Sequence, residues 1–193
     1  LIVKKLMNKK KISVLGGGSW GTVLAYLASL NGHTVHLWMR DKDAVKEINQ
    51  NYCNKKYVPQ LNLNTNVIAT SHIEDISDSE TIIFCVPSDA FREVSKLSLG
   101  FIKESSYLVT ATKGVEKEGF NLMSKILEEH YPKNPIGILS GPNLAEEIAS
   151  HHLSGTVIAS DNKALRDSLI KGLSTDFFKV YENEDPYGVE MGG

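Results

Sequence analysis

Gly16, Gly18 and Gly21 stand at the spacing G-x-G-x-x-G, with Gly17 as an additional glycine between the first two. Glycine inside a strand or helix is destabilising by roughly 0.5–1 kcal/mol relative to alanine, so such a cluster belongs where bare backbone is needed. The spacing suits a phosphate. The first glycine permits a tight turn, the second lets a pyrophosphate approach the backbone, and the third lets a following helix pack closely on the preceding strand. Unpaired N–H groups at the start of that helix, aided by its dipole, then hold the anion. A plain glycine turn is the alternative, and the flanking segments decide between the two.

Those segments have the required character. A short apolar strand, Ile12–Leu15, precedes the glycines. A helical pattern follows at Trp20–Asn31, with Trp20, Val23, Leu24, Leu27 and Ala28 spaced to pack one face on a sheet. Gly32 closes the helix, and "TVHLW" (Thr34–Trp38) supplies a second strand, completing a βαβ unit that binds a dinucleotide. Just past it stand Arg40 and Asp41, where NAD enzymes place an acid on the ribose 2′-hydroxyl. An arginine there pairs with the 2′-phosphate of NADP, while Asp41 accepts from a ribose hydroxyl, so the cofactor is NAD or NADP. A surface arginine and a helix-capping aspartate form the plainer reading.

The same alternation runs along the chain. Further strands are expected at Val67–Ala69, Thr81–Val86, Tyr107–Ala111, Ile136–Leu139, Thr156–Ser160 and Phe177–Tyr181. Helices are expected at Lys42–Asn51, Phe91–Leu97, Leu122–His130, Leu144–Ser150 and Asn162–Leu173, and Asn54–Asn66 reads as a loop. The fold class is α/β, a Rossmann-like doubly wound and mostly parallel sheet, with residues 1–193 as one dinucleotide-binding domain. Residues 1–6 precede Met7 and are assigned no function. The chain ends at "YGVEMGG", whose glycines mark a turn leading onward, so the domain is expected to be truncated before a helical substrate domain.

Net charge is −2, from 21 Lys and Arg against 23 Asp and Glu, so no global positive field exists for nucleic acid. No stretch approaches the roughly 20 apolar residues of a membrane span. Cys53 and Cys85 lie far apart without metal-like spacing, which fits a reducing cytoplasm. The six histidines form no metal motif and are read as structural or exposed.

Lys113 follows the strand Tyr107–Ala111, at the carboxyl edge of the sheet where open α/β folds bind ligands; alone, a Lys-Gly turn reads as solvated surface. At Gly141–Ala145 a strand gives way to a helix, with Asn143 as its N-cap and Glu146 as the reciprocal partner of a capping box.

"GGGSWGTVLA", "LWMRD", "VPS" at Val86–Ser88, "TKGVE" at Thr112–Glu116, "LSGPNLAEEIA" at Leu139–Ala149 and "YGVEMGG" together resemble the NAD(P)-dependent glycerol-3-phosphate dehydrogenases, in register from Ile12 to Gly193. The resemblance implies hydride transfer between NAD(P)H and dihydroxyacetone phosphate, giving sn-glycerol 3-phosphate for phospholipid synthesis, and a homodimer at full length. It implies cofactor contacts from Gly16, Gly18, Ser19, Trp20, Gly21, Arg40, Lys113 and Ala145, and substrate contacts from Lys113, Gly141 and Asn143. Lys113 is the catalytic cation. A proton-transferring lysine is expected beyond Gly193. Trp20 has a second reading as core. Three departures stand out. Gly17 replaces a usual alanine, a harmless change for a tight turn. Asn143 replaces a serine or threonine, and "LSGTVIAS" at Leu153–Ser160 replaces a Pro-Thr start. The rival readings are another two-domain Rossmann dehydrogenase, of the 3-hydroxyacid or ketopantoate type, and a non-catalytic dinucleotide-binding module.

Overall fold

Strands buried on both faces read as unbroken apolar runs, because successive side chains enter opposite layers of the core. The strand β1 (Lys11–Leu15) illustrates this: Val14 and Leu15 are both fully buried, yet they belong to two separate apolar clusters. The computed structural model describes residues 9–193, so the assignment made for residues 1–6 lies outside the described residues. After β1 the chain forms α1 (Ser19–Leu30), β2 (Thr34–Trp38), α2 (Lys42–Asn51), β3 (Cys53–Asn54), β4 (Val58–Asn62) and β5 (Val67–Thr70). A 3-10 turn at Ile73–Ile76 leads to β6 (Thr81–Phe84), α3 (Ser88–Leu97), β7 (Tyr107–Thr110) and α4 (Met123–His130). Then come β8 (Ile136–Ser140), α5 (Ala145–Ala149), β9 (Ser154–Ala159), α6 (Lys163–Leu173), β10 (Phe178–Asn183) and α7 (Pro186–Met191).

The described residues form one eight-stranded sheet in the order β10-β9-β8-β7-β6-β1-β2-β5. From β5 to β8 every pairing is parallel, with the strand order of a doubly wound Rossmann sheet. The winding reverses between β1 and β6, and the carboxyl ends of those strands open the crevice where such sheets bind ligands. The strand β9 runs antiparallel to β8, and β10 runs parallel to β9.

Two segments differ from the sequence reading. The expected loop at Asn54–Asn66 contains the antiparallel hairpin β3–β4, with Val58 and Leu61 buried in the larger cluster. "YGVEMGG" contributes most of an unanticipated helix, α7, which Asp185 caps by accepting the Gly188 N–H at 2.9 Å. Glu190 fastens α7 to the start of α4 by accepting the Ser124 N–H at 3.0 Å. Among the described residues no helix is long and apolar enough to cross a membrane.

His33, at the turn between α1 and β2, is only 3% exposed. Its Nδ1 accepts the Lys10 N–H at 3.2 Å, while Nε2 meets no partner among the described residues. Burial first, and the Lys10 charge second, hold its pKa below the ordinary 6.5; burial likewise lowers His36 and His130. A histidine with a depressed folded-state value contributes stability that is present above the unfolded value and lost as pH falls through the folded one. Urea midpoints should therefore drop between pH 7.5 and pH 5.5. In His33→Asn, which keeps an acceptor for Lys10 but cannot titrate, the drop should be shallower; an unchanged slope would exclude His33 as a contributor.

Candidate functional site

Three glycines after β1 have three different neighbours. Gly16 has φ +124°, and a Cβ there would lie 2.1 Å from the Cys85 carbonyl oxygen; its own N–H donates to Trp38 O at 2.9 Å. A Cβ at Gly21 would lie 1.9 Å from Gly16 O, so α1 crosses the end of β1 at backbone contact. At Gly18 a Cβ would face no atom within 4 Å. The turn, the open approach and the close helix packing are thus each present. Gly18 is also the N-cap of α1. No side chain caps it and no acid occupies the first turn, which leaves the helix's unpaired N–H groups and positive dipole end free for an anionic diphosphate.

Gly16, Gly17 and Gly18 floor a cleft of about 350 Å³ at the β1–β6 switch point. The end of β2 supplies one wall through Met39, Arg40 and Asp41, the β6–α3 junction a second through Val86, Pro87 and Ala90, and the hairpin a third through Lys56 and Tyr57. Three larger hollows, of about 550, 540 and 430 Å³, lie beside α4 and α7, beside Arg92 and Glu116, and between the end of α1 and the start of β10, away from the glycine loop.

Asp41 caps α2, its Oδ1 accepting from the Asp43 and Ala44 N–H groups at 3.1 Å each, so the capping reading of this residue holds. The hydroxyl of Ser19 donates to Tyr57 O at 3.1 Å. Trp20 does not line the cleft; its half-buried ring packs on Phe178, with centroids 6.2 Å apart, as the core reading has it. Its N–H remains among the unpaired groups of the first turn. Burial pushes the Cys85 thiol up to about 12.

A second group gathers at the ends of β7 and β8. Lys113 Nζ donates to Gly141 O at 3.0 Å, so the structure brings these two expected residues together. Asn143 joins them but does not cap α5. The N-cap is Leu144, without a side-chain bond, and the Asn143 amide instead donates to Gly155 O at 2.8 Å. The expected capping box is overturned because antiparallel β9 presents a carbonyl within reach of the Asn143 side chain. Ala145 opens α5, half-buried against the larger cluster.

The Lys113 loop is fastened by its neighbours in the "TKGVE" segment and by Arg92, which no motif singled out. Thr112 Oγ1 donates to Val86 O at 2.7 Å, and Gly114 turns the chain at φ +102°. Beyond it Arg92 of α3 binds Glu116 through Nε and Nη2, and reaches Glu129 with Nη1 at 2.8 Å. Arg92, followed by Asn121, holds the Glu116 carboxyl down at about 2. Among the described residues, no group of three or more His, Cys, Asp or Glu is placed to hold a metal.

Residues 11–166 match the family described as NAD-dependent glycerol-3-phosphate dehydrogenase N-terminus. The glycerol-3-phosphate dehydrogenase (NAD(P)+) of Alcanivorax borkumensis is 41% identical over 187 residues, covering 96% of this chain and 54% of its own length. Its counterpart from Acinetobacter baumannii is 42% identical over 184 residues, covering 95% and 51%. The crystal structure of glycerol-3-phosphate dehydrogenase from Coxiella burnetii superposes with a TM-score of 0.91 at 32% identity, over 96% of this chain and 57% of that one. The chain spans about half the length of the curated relatives it matches.

Gly17 lies against the Met39 side chain. An alanine Cβ there would sit 2.2 Å from Met39 Cε and 3.0 Å from Met39 Cβ, and Met39 is itself buried. Glycine at 17 therefore fits beside Met39, where an alanine Cβ would require the Met39 side chain to shift. Gly17→Ala should lose about 1–3 kcal/mol of unfolding free energy by overpacking. Combined with Met39→Ala, the loss should be smaller than the sum of the two single losses, by roughly 0.5–3 kcal/mol in a denaturant double-mutant cycle. Strict additivity would exclude the contact.

Proposed function

The chain belongs to the NAD-dependent glycerol-3-phosphate dehydrogenase family, and on that footing we propose that residues 1–193 form the cofactor-binding domain of an oxidoreductase that interconverts dihydroxyacetone phosphate and sn-glycerol 3-phosphate. The observation that carries the reading is the uncapped start of α1 behind an open Gly18, floored into a cleft at the switch point of the sheet. When bound, NAD(P)H supplies the hydride that reduces the substrate carbonyl carbon.

The chain's own groups take the remaining roles. The N–H groups at Ser19, Trp20 and Gly21 hold the pyrophosphate, with Arg40 at the adenosine end. Lys113, held beside Gly141, is a fixed cation that stabilises negative charge on the substrate oxygen or phosphate. Gly141 and Asn143 border the substrate, and Ala145 borders the cofactor from the start of α5. Proton transfer is assigned to a lysine outside residues 1–193. The pairing of Lys113 with Gly141 favours this enzyme over a non-catalytic binding module, which has no use for a cation held at that edge.

Replacing Gly18 with valine puts a branched side chain into the space reserved for the pyrophosphate. Calorimetric titration of Gly18→Val should show NADH and NADPH binding lost while circular dichroism is unchanged. Undiminished binding by the folded variant would overturn the cofactor assignment. In the full-length protein, Lys113→Ala should lower kcat/KM for dihydroxyacetone phosphate by about 10²–10³-fold, as for loss of a fixed charge-stabilising donor.

A further inference from the structure

We propose that the β3–β4 hairpin makes the cleft selective for the 2′-phosphorylated dinucleotide, with Lys56 as a second cation beside Arg40. The inference rests on the reading of the cleft as a dinucleotide site. It concerns a segment that the sequence patterns leave as a loop.

The hairpin is fastened directly to the glycine loop. Asn54, only 1% exposed, donates through Nδ2 to Gly17 O at 3.0 Å and to Thr22 Oγ1 at 2.9 Å. From the other side, Ser19 Oγ donates to Tyr57 O at 3.1 Å. Val58 is fully buried and Leu61 nearly so, which anchors the second strand in the core. Lys56 lies between Asn54 and Tyr57, so its backbone is held at both sides by bonds to the loop that receives the pyrophosphate. The built wall delivers Lys56 into the cleft with Arg40 and Asp41.

Charge decides what that wall recognises. A site for an unphosphorylated ribose presents a carboxylate to the 2′-hydroxyl. Here one Asp41 oxygen is committed to the cap of α2, and the other faces Lys56 Nζ at 3.8 Å. Arg40 forms no ion pair among the described residues. Two cations thus meet one carboxylate whose capping bonds are already made. Lys56 is exposed and loosely paired, so its ammonium can turn from Asp41 to a stronger acceptor without unmaking packed structure. A 2′-phosphate, with three acceptor oxygens and close to two negative charges at neutral pH, is such an acceptor.

The test is calorimetric titration of the chain and of Lys56→Met, which keeps much of the apolar stem, with NADPH and NADH. The same proteins are then titrated with adenosine 2′,5′-bisphosphate and AMP. The unmodified chain should prefer NADPH. Lys56→Met should weaken NADPH by roughly tenfold, the scale of one exposed charge-assisted bond, and leave NADH within about twofold. Adenosine 2′,5′-bisphosphate should lose affinity in parallel, with AMP unchanged. Equal losses for both nucleotides, or an unchanged NADPH to NADH ratio, would overturn the role of Lys56 while leaving the cofactor site standing. Binding of neither nucleotide by the unmodified chain would instead overturn the dinucleotide reading, and this proposal with it.

Discussion

Backbone contact at the glycine loop sets the positions of everything else in the site. The β1–α1 crossing leaves no room for a side chain at Gly21, and the approach of Cys85 leaves none at Gly16. Both obstacles are carbonyl oxygens, which cannot swing aside as the end of a side chain can. The crossing therefore fixes where α1 begins and which N–H groups stay unpaired. Val23, Leu24, Leu27 and Ala28 then press the helix onto one face of the sheet with no exposure at all. The ends of β2 and β6 flank this turn by their parallel pairing with β1, so one tight turn determines the floor and two walls of the cleft.

A chain of net charge −2 must hold an anion by local arrangement. Two of the acids near the candidate site are engaged elsewhere: Asp41 caps α2, and Glu116 is bound by Arg92 and Asn121. With Glu116 at about 2, its carboxylate stays charged and paired throughout the neutral range. Among the described residues Arg40 makes no ion pair, Lys56 is only loosely paired with Asp41, Lys113 is held by the Gly141 carbonyl, and the start of α1 is uncapped. The composition is nearly balanced, and the cations at the cleft and at the Lys113 turn stand beside carboxylates, Asp41 and Glu116, that already have partners.

The parallel strands and α1 were legible because buried strands are apolar and are bounded by glycine or polar turns. The hairpin was not. Pro59 and the surrounding asparagines signal a loop, and only Val58 and Leu61 among the β4 residues are buried. Its order depends on Asn54 meeting Gly17 and Thr22, contacts 37 and 32 residues away in sequence, which local pattern does not encode. Asn143 failed in the opposite way. Its capping signature was real, but a carbonyl of β9 won the side chain. For α7 the start signals at Asp185 and Pro186 were present, but none of its residues is buried and no apolar period marks it as a helix.

The reversal of direction at β9 bears on the Lys113 site. At the end of β8 a parallel neighbour would finish its hydrogen bonding at the same edge and offer little to hold the next loop. Because β9 runs the other way, its first residues arrive at that edge. Thr156 Oγ1 donates to Ser140 O at 3.0 Å, and Gly155 O accepts the Asn143 amide, so the turn carrying Gly141 is held from β9. Gly193 lies against the same strand end, where a Cβ would strike the Ser140 hydroxyl. The Gly141 carbonyl that receives Lys113 is therefore kept in place by side-chain bonds to a strand outside the six-stranded parallel core. A sheet of that core alone would present the lysine without the turn that orients it.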